Sequence, residues 1–327
     1  MTRPGSCERA KGPVRYERFH DYDYSRGAVL FVTFALEERL PLLGRVAGDK
    51  VVLSPTGQAV AETIAREGRR EGDVRLYQFV VMPDHVHVRL YVRPGARSAL
   101  KAVGQFVANV KRWSKYRAAQ VGAALIWQAS FYDRLCVSRE IIARVDKYID
   151  NNPLKWSLMH GDKALMRVDE PLSASCLPLD EWWSGVGEKG LLAGRLAAFR
   201  LSRSIPPGEI PAVVARGVAA ANKGFTVIST FISPAERALF EALVAGGAAA
   251  IRVVPDELAA VYRPKGDEPR LFAARRLLLL SRVAEPGTGR SAAWHGINDA
   301  IAEMALKTGG AAVYVVKGPR GVAWRFR

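Results

Sequence analysis

Cysteine is scarce in this chain, and Cys7, Cys136 and Cys176 are odd in number and far apart, so neither a disulfide framework nor a paired-cysteine metal site is expected. A reducing, cytoplasmic setting fits. Long apolar runs are also missing. The first residues, MTRPGSCERAKG, hold no hydrophobic signal core, and the LLLL of RRLLLLSRV is far too short to cross a bilayer. Secretion and membrane insertion are therefore not expected, and the chain reads as soluble. No internal repeat is visible. The third shortage is local: between His85 and Tyr132 there is no aspartate or glutamate, while Arg89, Arg93, Arg97, Lys101, Lys111, Arg112, Lys115 and Arg117 all fall there. Ordinary surfaces intersperse both signs, so an acid-free stretch of this length points to a polyanion, and these eight bases are the candidate DNA contacts.

What is present agrees with that reading. The 327 residues are long enough for two domains, and 49% hydrophobic content can give each a core. A net charge of +16 and a pI near 10 make nucleic acid the first partner to consider. The excess is concentrated early: residues 1–160 carry 26 basic and 16 acidic side chains, the remainder 22 and 16.

The first half alternates strands and helices. AVLFVTFAL (28–36) reads as a buried strand, Ser54-Pro55 opens a helix to about Arg70, and VRLYQFVVM (74–82) turns at Pro83-Asp84 into HVHVRLYV (85–92). Alternation puts Val86, Val88 and Leu90 on one face and His85, His87 and Arg89 on the other. Residues 96–118 read as a helix whose apolar arc of Leu100, Val103, Phe106, Val107 and Val110 adjoins a basic arc of Lys101, Lys111, Arg112 and Lys115. IWQASFYDRLC (126–136) looks like a fourth strand. Ser138 can cap a last helix bearing Ile141, Ile142, Val145, Tyr148 and Ile149, expected to stop at Asn152-Pro153. That order is ferredoxin-like or RRM-like: an α+β domain with helices on one side of an antiparallel sheet and the histidine side open.

His85 and His87 point the same way and can share one metal ion, although such a pair on its own is more often structural than a ligand pair. Tyr148 and Asn152, four apart, stack on one helix face and offer a phenol and an amide oxygen together. Taken alone, such a pair more often just fills an apolar edge and stops a helix. Together with the basic stretch, these motifs resemble those of the single-tyrosine HUH-type transposases, especially the REP-associated tyrosine transposases. The resemblance runs from about Tyr22 to Trp156, through DYDYSRGAVLFVTFALEERLPLLG, VMPDHVHVRL, AVGQFVANVKRWS, IWQASFYDRL and DKYIDNNPLKW. It implies His85, His87 and Asn152 as ligands of Mg²⁺ or Mn²⁺, Tyr148 as nucleophile, and single-stranded or hairpin DNA as substrate, cleaved through a 5′-phosphotyrosine. Asp84 stands where the family commonly has Asn. Tyr132 is the second candidate nucleophile. The rival reading is a non-catalytic nucleic-acid binder using the same open sheet face.

The expected layout is a catalytic domain over 1–165, a linker over 166–210 in which only GLLAGRLAAFRL suggests a helix, and an accessory α/β domain over 211–327. In the last, GFTVIST, AAIRVVP, RRLLLLS and AAVYVVK alternate with helices as in a Rossmann-like parallel sheet. One helix opens with the capping box of Ser233 and Glu236. This half faintly resembles the Rossmann-like domain of DNA-processing protein A. Gly287 and Gly289 precede a helix and could hold a phosphate, whereas Gly185-x-Gly187-x-x-Gly190 follows no strand and reads as chance. A monomer or homodimer is expected.

Overall fold

The computed structural model describes residues 26–95, 99–161, 163–179, 181–283, 296–318 and 321–326. The chain divides into two compact units, Met1–Arg45 with Val51–Ile149, and Val46–Lys50 with Asp150–Arg327.

The first unit runs β1 (Ala28–Ala35), β2 (Gly44–Ala47), β3 (Lys50–Leu53), α1 (Pro55–Gly68), β4 (Val74–Val81), β5 (His85–Val92), α2 (Ala99–Gln120), β6 (Tyr132–Leu135) and α3 (Arg139–His160), the last continuing into the second unit. Its sheet has the order β4-β5-β1-β6 with every neighbour antiparallel. Ser54 starts α1 by accepting a hydrogen bond from the Gly57 amide at 3.0 Å, with Pro55 at the first helical position, where no amide donor is needed. Gly57 is required there, because a Cβ would lie 1.8 Å from the carbonyl oxygen of Leu43. On one sheet face Leu30, Val32, Phe34, Val86, Val88 and Leu90 bury against Val60 and Ile64 of α1 and Val103, Val107 and Val110 of α2. This is the expected α+β core.

The opposite face is not open. Phe31 and Cys136 bury with Val145 and Ile149 of α3, and Val29, Val80, Ile141 and Ile142 pack around them. The physical reason lies in both surfaces: α3 carries an apolar stripe as continuous as a core helix, and the sheet presents Phe31 and Val80 to receive it. The helix also passes Asn152-Pro153 and ends at His160. Proline removes one amide donor and strains the preceding turn, a cost that helices with enough packing absorb. The fourth strand is shorter than expected. Only Tyr132–Leu135 pairs with β1, while Trp127 makes an isolated bridge to Leu36 and donates its indole N–H to Ser114 at 3.1 Å.

The second unit adds α4 (Lys163–Met166), β7 (Trp182–Gly187), β8 (Leu196–Leu201), α5 (Ile210–Asn222), β9 (Thr226–Ser229), α6 (Pro234–Ala245), β10 (Ala250–Val254), α7 (Glu268–Ala273), β11 (Leu277–Val283), α8 (Ile297–Lys307), β12 (Ala311–Gly318) and β13 (Gly321–Phe326). Five parallel strands, β12-β8-β9-β10-β11, are flanked by antiparallel β13 and β7. Residues of α5 and α6 bury against one face and those of α8 against the other, the Rossmann-like arrangement expected.

Residues 166–210, expected as linker, instead supply β7 and the interior strand β8, and LAAFRL is strand rather than helix. An interior parallel strand is apolar on both faces. Leu196, Ala197, Ala198, Phe199 and Leu201 are all buried, and such a short run carries no periodicity that separates it from a buried helix. The Ser233–Glu236 capping box forms as expected, and the buried Glu236 carboxylate also accepts from Leu201 N at 3.0 Å, Thr230 Oγ1 at 2.9 Å and Ile232 N at 2.8 Å. It thereby fastens the ends of β8 and β9 to the start of α6. No helix among the described residues is long and apolar enough to cross a membrane.

Candidate active site

Alternation along β5 aims His85 and His87 at the face covered by α3, where they are 9% and 4% exposed. Their Nε2 atoms stand 3.0 Å apart. Each ring is held from behind. Nδ1 of His85 meets Asp84 Oδ1 at 2.5 Å, and Nδ1 of His87 meets the hydroxyl of Thr33, its direct cross-strand partner, at 2.7 Å. Burial works against the Asp84 charge, but its hydrogen bond to His85, the His85 charge and Arg39 outweigh that and hold the carboxyl below its usual 3.8. A carboxylate can only accept, so His85 donates to it from Nδ1, and in the uncharged form of the ring that leaves a lone pair on Nε2. The Thr33 hydroxyl can donate or accept; donating, it leaves the His87 proton on Nε2 for an N–H···N bond to His85, and accepting, it leaves the second Nε2 with a lone pair too.

Two lone pairs at this distance need something positive between them. One is a proton, shared as an N–H···N bond. The other is a cation: two cis ligands at about 2.1 Å from an octahedral ion lie about 3.0 Å apart, against about 3.4 Å for a tetrahedral ion. Rings anchored through Nδ1 are also the usual preparation of metal-binding histidines. The pair therefore fits a divalent cation. No group of three or more His, Cys, Asp and Glu spaced for a metal occurs among the described residues, so further donors must come from other groups.

Tyr148 of α3 reaches His87 of this pair. Its ring centroid lies 5.2 Å from that of His87 and 5.6 Å from that of Phe31, both near edge-to-face, and the side chain is 37% exposed. Phe31 in turn stacks on His87 at 5.2 Å. Asn152, one turn beyond Tyr148 on the same helix, is buried. Arg89 fixes the helix beside the site, its Nε meeting Asp146 Oδ1 at 2.5 Å and its guanidinium lying under the exposed ring of Tyr77. Tyr132 is half-buried, its ring edge-on to Phe31. Thr33, Asp84 and Asp146 are supporting residues that sequence reasoning did not assign. Thr33 becomes visible only once the register of β1 against β5 is known.

The eight bases divide. Arg93, Lys101, Arg112 and Lys115 are exposed. Arg89 is taken up by Asp146, and Arg117 reaches Glu62 at 2.8 Å. Lys111 is half-buried, which pulls its pKa below the ordinary 10.5, and its ammonium donates to the carbonyls of Gln128 at 2.7 Å, Ser130 at 2.9 Å and Ala129 at 3.4 Å. Arg97, Gly287 and Gly289 lie outside the described residues. Gly185 and Gly187 belong to β7, where Gly187 has φ 108° and a Cβ would meet Leu277 O at 2.3 Å, so close strand approach accounts for that glycine.

Residues 49–152 match the family of IS200-like transposases. That span holds His85, His87, Tyr148 and Asn152. An uncharacterised Haemophilus influenzae protein is 21% identical over 160 residues, covering 42% of this chain and 87% of its own. Among solved structures, a REP-associated tyrosine transposase bound to a REP hairpin aligns at 19% identity and TM-score 0.32, over 45% of this chain and 73% of that one. DNA processing protein A from Streptococcus pneumoniae aligns at 16% identity and TM-score 0.34, over 56% and 73%.

Proposed function

We propose that the transposase-like unit is a metal-dependent single-stranded DNA endonuclease and strand transferase with Tyr148 as its nucleophile. The observation that carries this reading is the convergence of His85 Nε2 and His87 Nε2, 3.0 Å apart, beside the Tyr148 ring. His85 and His87, with Asn152 as third donor, would hold Mg²⁺ or Mn²⁺. A divalent ion bound there supplies Lewis-acid polarisation of the scissile phosphate. Asp84 keeps the His85 imidazole in the tautomer that presents Nε2, and the Thr33 hydroxyl holds the His87 ring in place. The Tyr148 oxygen bonds to phosphorus as the bond to the 3′ oxygen breaks. The phenol proton passes to water, and water returns one to the leaving oxygen, so that a 5′-phosphotyrosine and a free 3′ hydroxyl result. Attack on the phosphotyrosine by a 3′ hydroxyl reverses the bond changes and joins strands.

The substrate is single-stranded DNA, hairpin-bearing as the resemblance implies. A binder that uses an open sheet face, as RNA-recognition domains do, lacks support because α3 packs on that face. The test is incubation of the full chain with a library of single-stranded hairpins and Mn²⁺, followed by denaturing electrophoresis. A protein–DNA adduct that disappears with EDTA and in Tyr148→Phe supports the reading. An adduct of undiminished yield from Tyr148→Phe moves the nucleophile elsewhere, first to Tyr132.

A further inference from the structure

The exposed flank of α2 carries an aromatic pair that no step above uses. Trp113 and Tyr116, three positions apart and so neighbours on the helix surface, are 37% and 59% exposed. Their rings meet edge to face with centroids 6.1 Å apart, and the Arg112 guanidinium lies 5.0 Å from the Trp113 centroid. The core does not need them: Val103, Phe106, Val107, Val110 and Ala118 already supply the buried face of this helix. Lys101, Arg112 and Lys115 are exposed on the same helix, which has no acidic residue. Carboxylates of α1 beside it are engaged, Glu62 with Arg117 and Glu67 with Arg70 and Asn109.

We propose that this face of α2 is a stacking platform for unpaired bases of single-stranded DNA, with Arg112 and Lys115 holding the adjoining phosphates. The proposal rests on the DNA-processing reading above and adds a binding site apart from the histidine pair. Aromatic rings stack on any base whose face is free, and guanidinium planes accept bases in the same way, so both Tyr116 and the Arg112–Trp113 stack can serve. Duplex DNA covers its base faces and gains only the charge contacts. A second copy of the chain is disfavoured as occupant, because a two-fold contact through this patch would set its cations against themselves. A polyanion with exposed aromatic faces matches both the charge and the rings.

The test uses the full chain, a thymidine homopolymer of roughly 20 nucleotides and a duplex of equal length, with affinity measured by fluorescence anisotropy over a salt series. Trp113→Ala and Tyr116→Ala should each weaken single-strand binding by about 5- to 150-fold. Duplex affinity and the salt slope should not change, and Trp113→Phe and Tyr116→Phe should keep most of the affinity. Quenching of tryptophan emission by the homopolymer should shrink in Trp113→Phe. Unchanged single-strand affinity in both alanine variants, or equal loss on both DNAs, overturns the proposal, as does loss of self-association as the main effect. The two readings fail separately. A chain that never forms an adduct but loses single-strand affinity in the alanine variants keeps the platform and loses the catalytic reading; adduct formation with no effect of these variants does the reverse.

Discussion

Lys111 and its two basic neighbours on α2 should behave in opposite ways, although sequence alone puts all three on one DNA-facing edge. The Lys111 ammonium has three N–H donors, and three backbone carbonyls at 2.7, 2.9 and 3.4 Å lie around it, so none is left for a phosphate. Arg112 and Lys115 are exposed. On single-stranded DNA each phosphate contact contributes about 0.7 to the slope of log affinity against log salt, so Arg112→Gln with Lys115→Gln should flatten it by about 1.4. Across a fourfold change in salt that is roughly a sevenfold difference in how far affinity falls. Lys111→Met should leave the slope unchanged. It should instead strip three carbonyls of a charged donor, costing about 1.5–3 kcal/mol of stability, or roughly 3–12 °C in melting temperature for a unit of this size. Fluorescence anisotropy over a salt series and thermal unfolding followed by circular dichroism read the two effects separately. A Lys111→Met slope reduced as much as that of Lys115→Gln would refute the reasoning, since it would place the ammonium on DNA rather than on the 128–130 carbonyls.

Other expectations follow from the same contacts. His87→Ala should abolish adduct formation and also lower stability by about 1–3 kcal/mol, because the imidazole is buried, bonded to Thr33 and stacked on Phe31; denaturant titration beside the cleavage assay checks both. Ile149→Ala should cost about 2–5 kcal/mol and loosen α3 on the sheet, read as a fall in single-turnover adduct rate together with faster amide exchange along Val145–Tyr148. Gly57→Ala should destabilise the first unit or prevent its folding, since the added Cβ meets backbone and not a movable side chain; soluble yield and melting temperature decide. Glu236→Ala should leave Leu201 N, Thr230 Oγ1, Ile232 N and Ser233 N without their acceptor and lower the melting temperature of the second unit by more than a typical surface change, which calorimetry would resolve as a shift confined to one transition.

Much of the architecture was legible because period and caps agreed with the tertiary answer. The alternation of HVHVRLYV sorted Val86, Val88 and Leu90 from His85 and His87, and the Ser54-Pro55 and Ser233–Glu236 signals placed two helix starts. Three features were not legible. The apolar stripe of α3 was visible, but not that it would bury against the histidine face, since a stripe specifies that a face is covered and not by what. β8 lies in a Gly- and Pro-punctuated region and is apolar on both sides, so its sequence shows neither alternation nor helical spacing. The fate of each cation also depended on chain folding: Lys111 and Lys115 are alike as residues, and only the loop at Gln128–Ser130 takes one out of solvent. For the candidate site, the His–x–His and Tyr–x–x–x–Asn spacings named residues of which the fold brings His85, His87 and Tyr148 together, whereas Thr33 and Asp146 required the strand register and the seat of α3.

The central claim is that the Tyr148 oxygen becomes covalently joined to a DNA 5′ phosphate. Its most direct test is a cleavage reaction on a single-stranded hairpin with Mn²⁺, followed by trypsin and nuclease digestion and mass spectrometry of the residual adduct. The account predicts a nucleotide remnant on the peptide Tyr148–Lys155, YIDNNPLK, or on its form extended through Lys147, with the mass on the tyrosine. A remnant on a peptide that contains Tyr132, or cleavage that proceeds with no protein-linked DNA at any time point, would contradict it.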